Sequence, residues 1–394
     1  MLYLALSPLN MKLKLSKTVL VALSFIFLNF ASFAQESTVE QDFEKVMQKY
    51  SAVGASVAVV KNGKIIYTHS FGVKNLEDKT PLSDSDIFRI ASISKSFSAT
   101  SIMQLVEQGK LHLDDDFGDL VGFKIRNPKF PDEKITLKMA LSHTSSLNDS
   151  QGYLNLDIIN PEKNPNWAKC YNDYKPGTKF DYCNLNFNLI GTIIEKTSGE
   201  RFDNYVKKHV LNPLGLYAGY CVDSLDSNRF VNLYEYHPDN KSFTLAAAAY
   251  APRRAEIKNY VMGYSTPIFS PTGGMKISAT DLAKYMIMHM NYGASNGVKI
   301  ISKKSSKQMQ TALTDDEGYG LAIRSADDLI PNVKLKGHSG SAYGLYSTMF
   351  FSPKDKFGFV TITNGINATY TGDFPDFSRA AINCLYNAFI KEKR

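Results

Sequence analysis

Ser92 and Lys95 stand one helical turn apart in the segment Ser92-Ile93-Ser94-Lys95. Residues i and i+3 share a helix face, so the lysine reaches the serine oxygen. A serine hydroxyl is a weak nucleophile at neutral pH until a base takes its proton or a cation stabilises its alkoxide. Lys95 has the chemistry for either task. The flanks, Phe88-Arg89-Ile90-Ala91 before and Phe97, Ile102, Met103 and Val106 after, have helical spacing of apolar positions. They predict a buried helix ending near Gly109 with Ser92 in its first turn. Serine and lysine at this spacing are common in a chain of 394 residues, so the pair needs partners before it means anything.

Two partners follow in order. Pro176-Gly177 opens a turn that leads through Tyr182-Cys183-Asn184 into the apolar run from Phe187 to Lys196, which reads as a helix. Nearer the C-terminus, Gly337-His338-Ser339-Gly340 follows the β-like Val333-Lys334-Leu335-Lys336. These residues resemble the serine β-lactamase and penicillin-binding-protein superfamily, in particular its class C β-lactamase-like branch with D-peptidases and esterases. That family carries Ser-x-x-Lys, Tyr-x-Asn and Lys-Thr-Gly or His-x-Gly in this order. The resemblance extends to Leu141-Ser142-His143-Thr144-Ser145, to Gly109-Lys110-Leu111-His112-Leu113-Asp114-Asp115, and to Pro271-Thr272-Gly273-Gly274-Met275 followed by Ser278-Ala279-Thr280-Asp281-Leu282. It covers the chain from about Gly54 to the last helix.

The resemblance implies a cofactor-free hydrolase with an acyl-enzyme on Ser92, in which Lys95 and Tyr182 move protons. Asn184 would bind the substrate amide or Lys95. The amides of Ser92 and Ser341 would form the oxyanion hole, with His338 and Gly340 beside the substrate on the same strand. The substrate is a small molecule or peptide carrying an amide or ester, whether β-lactam, D-amino-acid peptide or carboxylic ester. The alternative is a covalent penicillin-binding or sensor protein of the same fold that does not turn over. Two electrostatic expectations accompany this. A positive Lys95 beside Tyr182 would lower the phenol pKa. His338 stands where many members carry lysine, and an unperturbed histidine is mostly neutral at pH 7. A substrate carboxylate would then be held poorly, except below about pH 6.5 where the imidazole protonates.

Other patterns lead elsewhere or nowhere. Gly337-His338-Ser339-Gly340-Ser341 resembles a nucleophile elbow, but serine replaces its final glycine and no histidine follows position 338. The seven histidines contain neither His-x-His nor His-Glu-x-x-His, which argues against a zinc site. Asp114-Asp115-Asp116 lacks the alternating ligands of a calcium loop and reads as a helix start.

A basic leader, Met11 to Lys17, precedes the apolar run Thr18 to Phe30 and the small-residue site Ser32-Phe33-Ala34. This is the layout of a signal peptide over 1–34, leaving 35–394 as the catalytic domain in the periplasm or outside the cell. The apolar run is shorter than the roughly 20 residues a spanning helix needs, so no stable membrane insertion is expected after cleavage. Cleavage removes three lysines and no acid and takes the formal charge from +7 to +4, too mild for a nucleic-acid partner. Four cysteines do not make a disulfide scaffold. Cys183 and Cys384 read as packed thiols, and an oxidising compartment would allow Cys170 and Cys221 to pair.

Composition is globular, at 44% hydrophobic and 21% charged. A helix is expected over 37–50. Strands are expected at Ala55 to Val60 and Lys64 to Phe71, joined by the hairpin signal Asn62-Gly63. Further strands are expected at Tyr319 to Arg324, Val333 to Lys336, Tyr343 to Phe351 and Phe357 to Thr363, with a closing helix from Phe374 to Lys391. This is an α+β pattern: an antiparallel sheet built from both chain ends (about 37–110 and 276–394) and a mainly helical insertion (about 111–275). The resemblance implies the β-lactamase/transpeptidase-like arrangement, with helices on both sheet faces and the site in the cleft between the two parts. The stretch from about Gly219 to Pro267 is aromatic with weak periodicity, and in this family such stretches shape the cleft.

Overall fold

The computed structural model describes residues 38–314 and 317–391, so the leader expected at 1–34 lies outside the described residues. The main sheet contains Gly54–Lys61 (β1), Lys64–Gly72 (β2), Arg324–Ile330 (β3), Val333–Ala342 (β4), Leu345–Ser352 (β5) and Phe357–Thr363 (β6). Its order is β2-β1-β6-β5-β4-β3, with every neighbouring pair antiparallel. The strands come from the two ends of the chain, as expected. Asn62 and Gly63 both have positive φ, 54° and 71°, the backbone a two-residue hairpin turn requires.

Successive side chains point to opposite faces of a strand, and here both faces are apolar. In β1, Val57 and Val59 join one core cluster while Ala58 and Val60 join the other. β6 divides likewise, Phe359 to one side and Val360 and Ile362 to the other. One face is covered by a helix over 38–49 (α1) and by the closing helix Asp376–Phe389, through Phe43, Phe377 and Leu385. The other face carries Ala279–Met290, whose N-cap Ser278 accepts from the Asp281 amide. Beyond it lie Ser94–Glu107 (α2) and Asn184–Ser198 (α3), packed together and buried on nearly every side. Total burial explains why α2 shows little polar face.

Four expectations are corrected. Ser92 is not in the first turn of α2 but in a 3-10 turn, Ala91–Ile93, just ahead of it, with Ala91 at φ 46°. No strand runs from Tyr319 to Arg324: Gly318 and Ala322, both at φ 57°, bend the chain, and the strand starts at Arg324. β4 does not stop at Lys336 but continues to Ala342, so His338, Gly340 and Ser341 all lie within it. The Tyr343-Gly344 turn, φ 56° and 77°, then returns the chain into β5. Cys170 and Cys221 are free thiols, as are Cys183 and Cys384. The Cys170 thiol lies against the Ile158 carbonyl, whereas Cys221 opens the short turn Val222–Ser224 elsewhere in the helical part.

The aromatic stretch that resisted a periodic reading forms a small hairpin, Tyr234–His237 with Ser242–Leu245, then the turn Ala247–Tyr250 and the short helix Arg254–Lys258. No helix among the described residues is long and apolar enough to cross a membrane.

Candidate active site

Lys95 is fully buried on α2, and its Nζ lies 3.1 Å from the Ser92 Oγ, 2.8 Å from the Asn184 Oδ1 and 2.9 Å from the Thr272 carbonyl. Burying an ammonium away from water favours the neutral amine. Desolvation accordingly pushes Lys95 from the ordinary 10.5 down to about 7, with Asp149 opposing. The result is an amine, half deprotonated near neutrality, within hydrogen-bond reach of a serine hydroxyl.

Tyr182 departs from the electrostatic expectation. Its hydroxyl is buried, and that burial raises its pKa well above the usual 10, with Ser92 close enough to offset part of the rise. Lys95 sits 4.7 Å from the centre of the Tyr182 ring, over its face rather than at its oxygen. Desolvation therefore dominates, and Tyr182 is a phenol, not a phenolate. The group whose pKa moves toward neutrality is the lysine.

The turn that carries Ser92 is wedged against β4. A Cβ built on Gly340 would fall 2.3 Å from the Ile90 carbonyl oxygen and 2.9 Å from the Ser92 nitrogen. Only glycine permits this approach, which sets the Ser92 amide beside the strand that bears Ser341. Ser347 on β5 clamps the same turn by donating to the Ile90 carbonyl at 2.9 Å.

His338 is buried on β4 with both ring nitrogens engaged. Nδ1 donates to the Ser339 carbonyl at 2.6 Å, and Nε2 accepts from the Tyr319 hydroxyl at 2.8 Å. Desolvation holds its pKa down at about 3. The protonation expected below pH 6.5 is thus displaced far into acid, and no ring nitrogen remains for a carboxylate. A cation does line the same cavity, of about 360 Å³: Arg324, at the start of β3, whose buried Nε has no hydrogen-bond partner among the described residues. Its Nη2 pairs with Asp373 at 2.9 Å and with Glu317 at 3.6 Å.

Three contributors escaped the sequence reading. Arg324 is one, because nothing nearby in sequence marks it. Asp149 is the second: it accepts from the Asn184 amide N–H and side-chain Nδ2, each at 2.8 Å, and from the Leu185 N–H at 3.0 Å. By taking the NH2 end of Asn184 it turns the Oδ1 end toward Lys95. Thr272 is the third, since its hydroxyl donates to that same Oδ1 at 2.8 Å while its carbonyl holds Lys95. The family resemblance in Pro271-Thr272-Gly273-Gly274 was the available signal for it. His143 supports the loop beneath: its Nδ1 accepts from the Cys183 amide at 3.1 Å and its ring lies 4.2 Å from that of Tyr182.

The structure therefore brings Ser92, Lys95, Tyr182, Asn184, Gly340 and Ser341 to one place. Ser92, Tyr182 and Ser341 sit where two cavities meet, the one that holds Arg324 and a larger one of about 560 Å³. The model of the beta-lactamase family matches residues 39–373, a span that includes every one of these side chains. The chain belongs to the beta-lactamase family.

Among its relatives is protein flp of Staphylococcus aureus (strain MRSA252), 25% identical over 358 residues, covering 85% of this chain and 64% of the relative. The chain thus spans a little under two thirds of the length of the curated relatives of this kind. The octameric penicillin-binding protein homologue from Pyrococcus abyssi is 28% identical with a TM-score of 0.71, over 89% of this chain and 76% of that one. The hydrolase EstCE1, which has promiscuous acyltransferase activity, shares the fold at 19% identity and a TM-score of 0.72, over 91% of this chain and all (100%) of that one.

Proposed function

We propose that the protein is an exported hydrolase in which Ser92 forms an acyl-enzyme with an amide or ester. The observation that carries this reading is the buried Lys95 amine, its pKa lowered to about 7, at 3.1 Å from the Ser92 hydroxyl. As the Ser92 Oγ bonds to the substrate carbonyl carbon, its proton passes to neutral Lys95, and the carbonyl π pair becomes an oxyanion. The Ser92 and Ser341 amides hold that oxyanion. Collapse breaks the bond to the leaving group, which takes the proton held by the Lys95 ammonium and leaves Lys95 neutral again, while the Tyr182 phenol beside Ser92 hydrogen-bonds the departing atom. Water then attacks the acyl ester with Lys95 again as the base, and the acid is released with Ser92 restored. Asn184, fixed by Asp149 and Thr272, keeps Lys95 in place and borders the acyl side.

The substrate is a β-lactam, a D-amino-acid peptide or a carboxylic ester, and Arg324 weighs on that choice. Arg324 lines the cavity of His338 with its two carboxylate partners, Asp373 at 2.9 Å and Glu317 at 3.6 Å, while the imidazole has no nitrogen to offer. A carboxylate on the leaving-group side pairs with Arg324 by displacing one of these acids from the guanidinium. Arg324→Gln is expected to lower kcat/KM for penicillins relative to neutral p-nitrophenyl esters by about 10- to 100-fold, the worth of one charge-assisted contact. Because His338 titrates near 3, the penicillin-to-ester ratio should not climb on passing from pH 8 to pH 5.5. A ratio unmoved by the substitution, or one that climbs near pH 6.5, returns the carboxylate to His338.

Intact-mass spectrometry after exposure to an activated ester and to a penicillin tests the reading as a whole. A transient adduct on Ser92 is expected. A permanent adduct would make the protein a covalent receptor of the same fold, and no adduct with either probe would refute the acyl-enzyme. The same spectrum of protein recovered from a bacterial periplasm is expected to show a chain that begins at Gln35. Retention of Lys12, Lys14 and Lys17 would indicate an uncleaved anchor.

A further inference from the structure

The larger cavity beside Ser92 has a feature that acyl transfer itself does not require. Phe88–Arg89 and Lys276–Ile277 form a two-stranded antiparallel pair in which Arg89 stands directly opposite Lys276. Like charges directly opposite one another on such a pair repel. Both residues line the cavity, and neither forms an ion pair with any described carboxylate. Lys276 is only 3% exposed, yet its Nζ has a single hydrogen-bond partner, the Tyr220 carbonyl at 2.6 Å. Arg89 donates from Nε to the Gly273 carbonyl at 2.8 Å, reaches Ala249 and Ser270 only at 3.4 Å, and lies over the Tyr343 ring.

A buried cation without a counter-charge is among the more costly arrangements in a protein interior, and two side by side compound the cost. Arg253, at the rim, adds a third positive charge, partly satisfied by Glu256 at 2.9 Å. Glu235 is the single acidic residue of the lining, and it is exposed. Burial and the neighbouring Arg89 push the Lys276 pKa far below its usual range, so the surrounding protein holds that proton loosely. An anion entering the cavity would restore it.

We infer that this cavity is an acyl-side subsite for a carboxylate, and that Lys276 and Arg89 select substrates whose acyl portion carries a negative charge. The inference rests on the acyl-enzyme reading. The two substituents of the attacked carbonyl must leave Ser92 by the two cavities, and the Arg324 cavity takes the leaving group. The substrate is then charged on its acyl arm, in the cavity opposite to the one that holds Arg324.

The test keeps the leaving group constant, so that the Arg324 cavity contributes equally throughout. Mono-p-nitrophenyl esters of dicarboxylic acids with two, three and four methylenes are compared with p-nitrophenyl alkanoates of matching length, and Ser92→Ala supplies the blank for spontaneous hydrolysis. At pH 7.5 and low salt, kcat/KM for the best charged ester should exceed that of its neutral counterpart by about tenfold or more. That advantage should shrink as salt screens it. In Lys276→Met, which keeps the apolar stem, the charged-to-neutral ratio should fall about tenfold. The wild-type comparison decides the matter on its own if the variant does not fold. Neutral esters matching or beating charged ones at every length would overturn the subsite while leaving the hydrolase reading intact. If neither series is hydrolysed and neither acylates Ser92, the acyl-enzyme reading falls first.

Discussion

Ser92→Ala is expected to lower kcat by about 10⁴- to 10⁶-fold and to abolish covalent labelling, while the thermal transition stays where it is in the wild type. Of the three side chains at the meeting of the two cavities, Ser92 is the one that Lys95 reaches, and Tyr182 is a phenol whose pKa burial has raised. The substitution removes one hydroxyl from a half-buried side chain whose recorded partner is Lys95, so little folding energy depends on it. A residual rate above solution hydrolysis should survive, since the Ser92 and Ser341 amides persist. A variant that retained most of the wild-type rate would place the nucleophile elsewhere.

Replacing Lys95 should be nearly as damaging and more informative. With a pKa of about 7, the amine is protonated in acid and neutral in base, and only the neutral form accepts the serine proton. The wild-type kcat/KM should therefore rise with pH along a single limb centred near 7, about tenfold per unit well below it and flat above. Lys95→Arg keeps a cation in place but cannot surrender its proton, so it should lose about 10²- to 10⁴-fold and lose the limb as well. A full rate in Lys95→Arg, or a limb that survives in it, would transfer the base role to another group. Stability should move in the same direction with pH. Between about 7 and 10.5 the unfolded chain holds a proton on Lys95 that the folded chain lacks, so folding is favoured as pH rises through that window. The lysine is kept at an energetic cost to the fold, which is common where burial tunes a catalytic group.

Much of this was legible in order of residues alone. Ser-x-x-Lys, Tyr-x-Asn and His-x-Gly, with the segments between them, marked the superfamily, the α+β arrangement and the side chains that meet at the site. Hairpin signals such as Asn62-Gly63 and the strand runs at the two chain ends were readable because turns and period-2 patterns are local. What failed was also local in appearance and non-local in cause. The Tyr319 to Arg324 run has strand composition, but positive φ at Gly318 and Ala322 bends it so that Tyr319 meets His338 and Arg324 starts a strand. The β-like run Val333 to Lys336 shows only the start of β4, and pairing with β5 carries it on to Ala342.

The electrostatics belonged to the tertiary structure altogether. Residue type predicted a lysine cation that would lower a tyrosine pKa and a histidine that would charge below pH 6.5; burial reversed both. A pKa is set by how much water and which charges surround a group, and these come from distant segments: Asp149 and Thr272 around Asn184 and Lys95, Tyr319 on His338, Arg89 opposite Lys276. The sequence by itself determined which reactive groups the protein owns and the order in which the chain presents them. Only the tertiary structure decided which of them has its pKa moved toward neutrality and which cations line the cavities, because desolvation and pairing exist only once the segments have met.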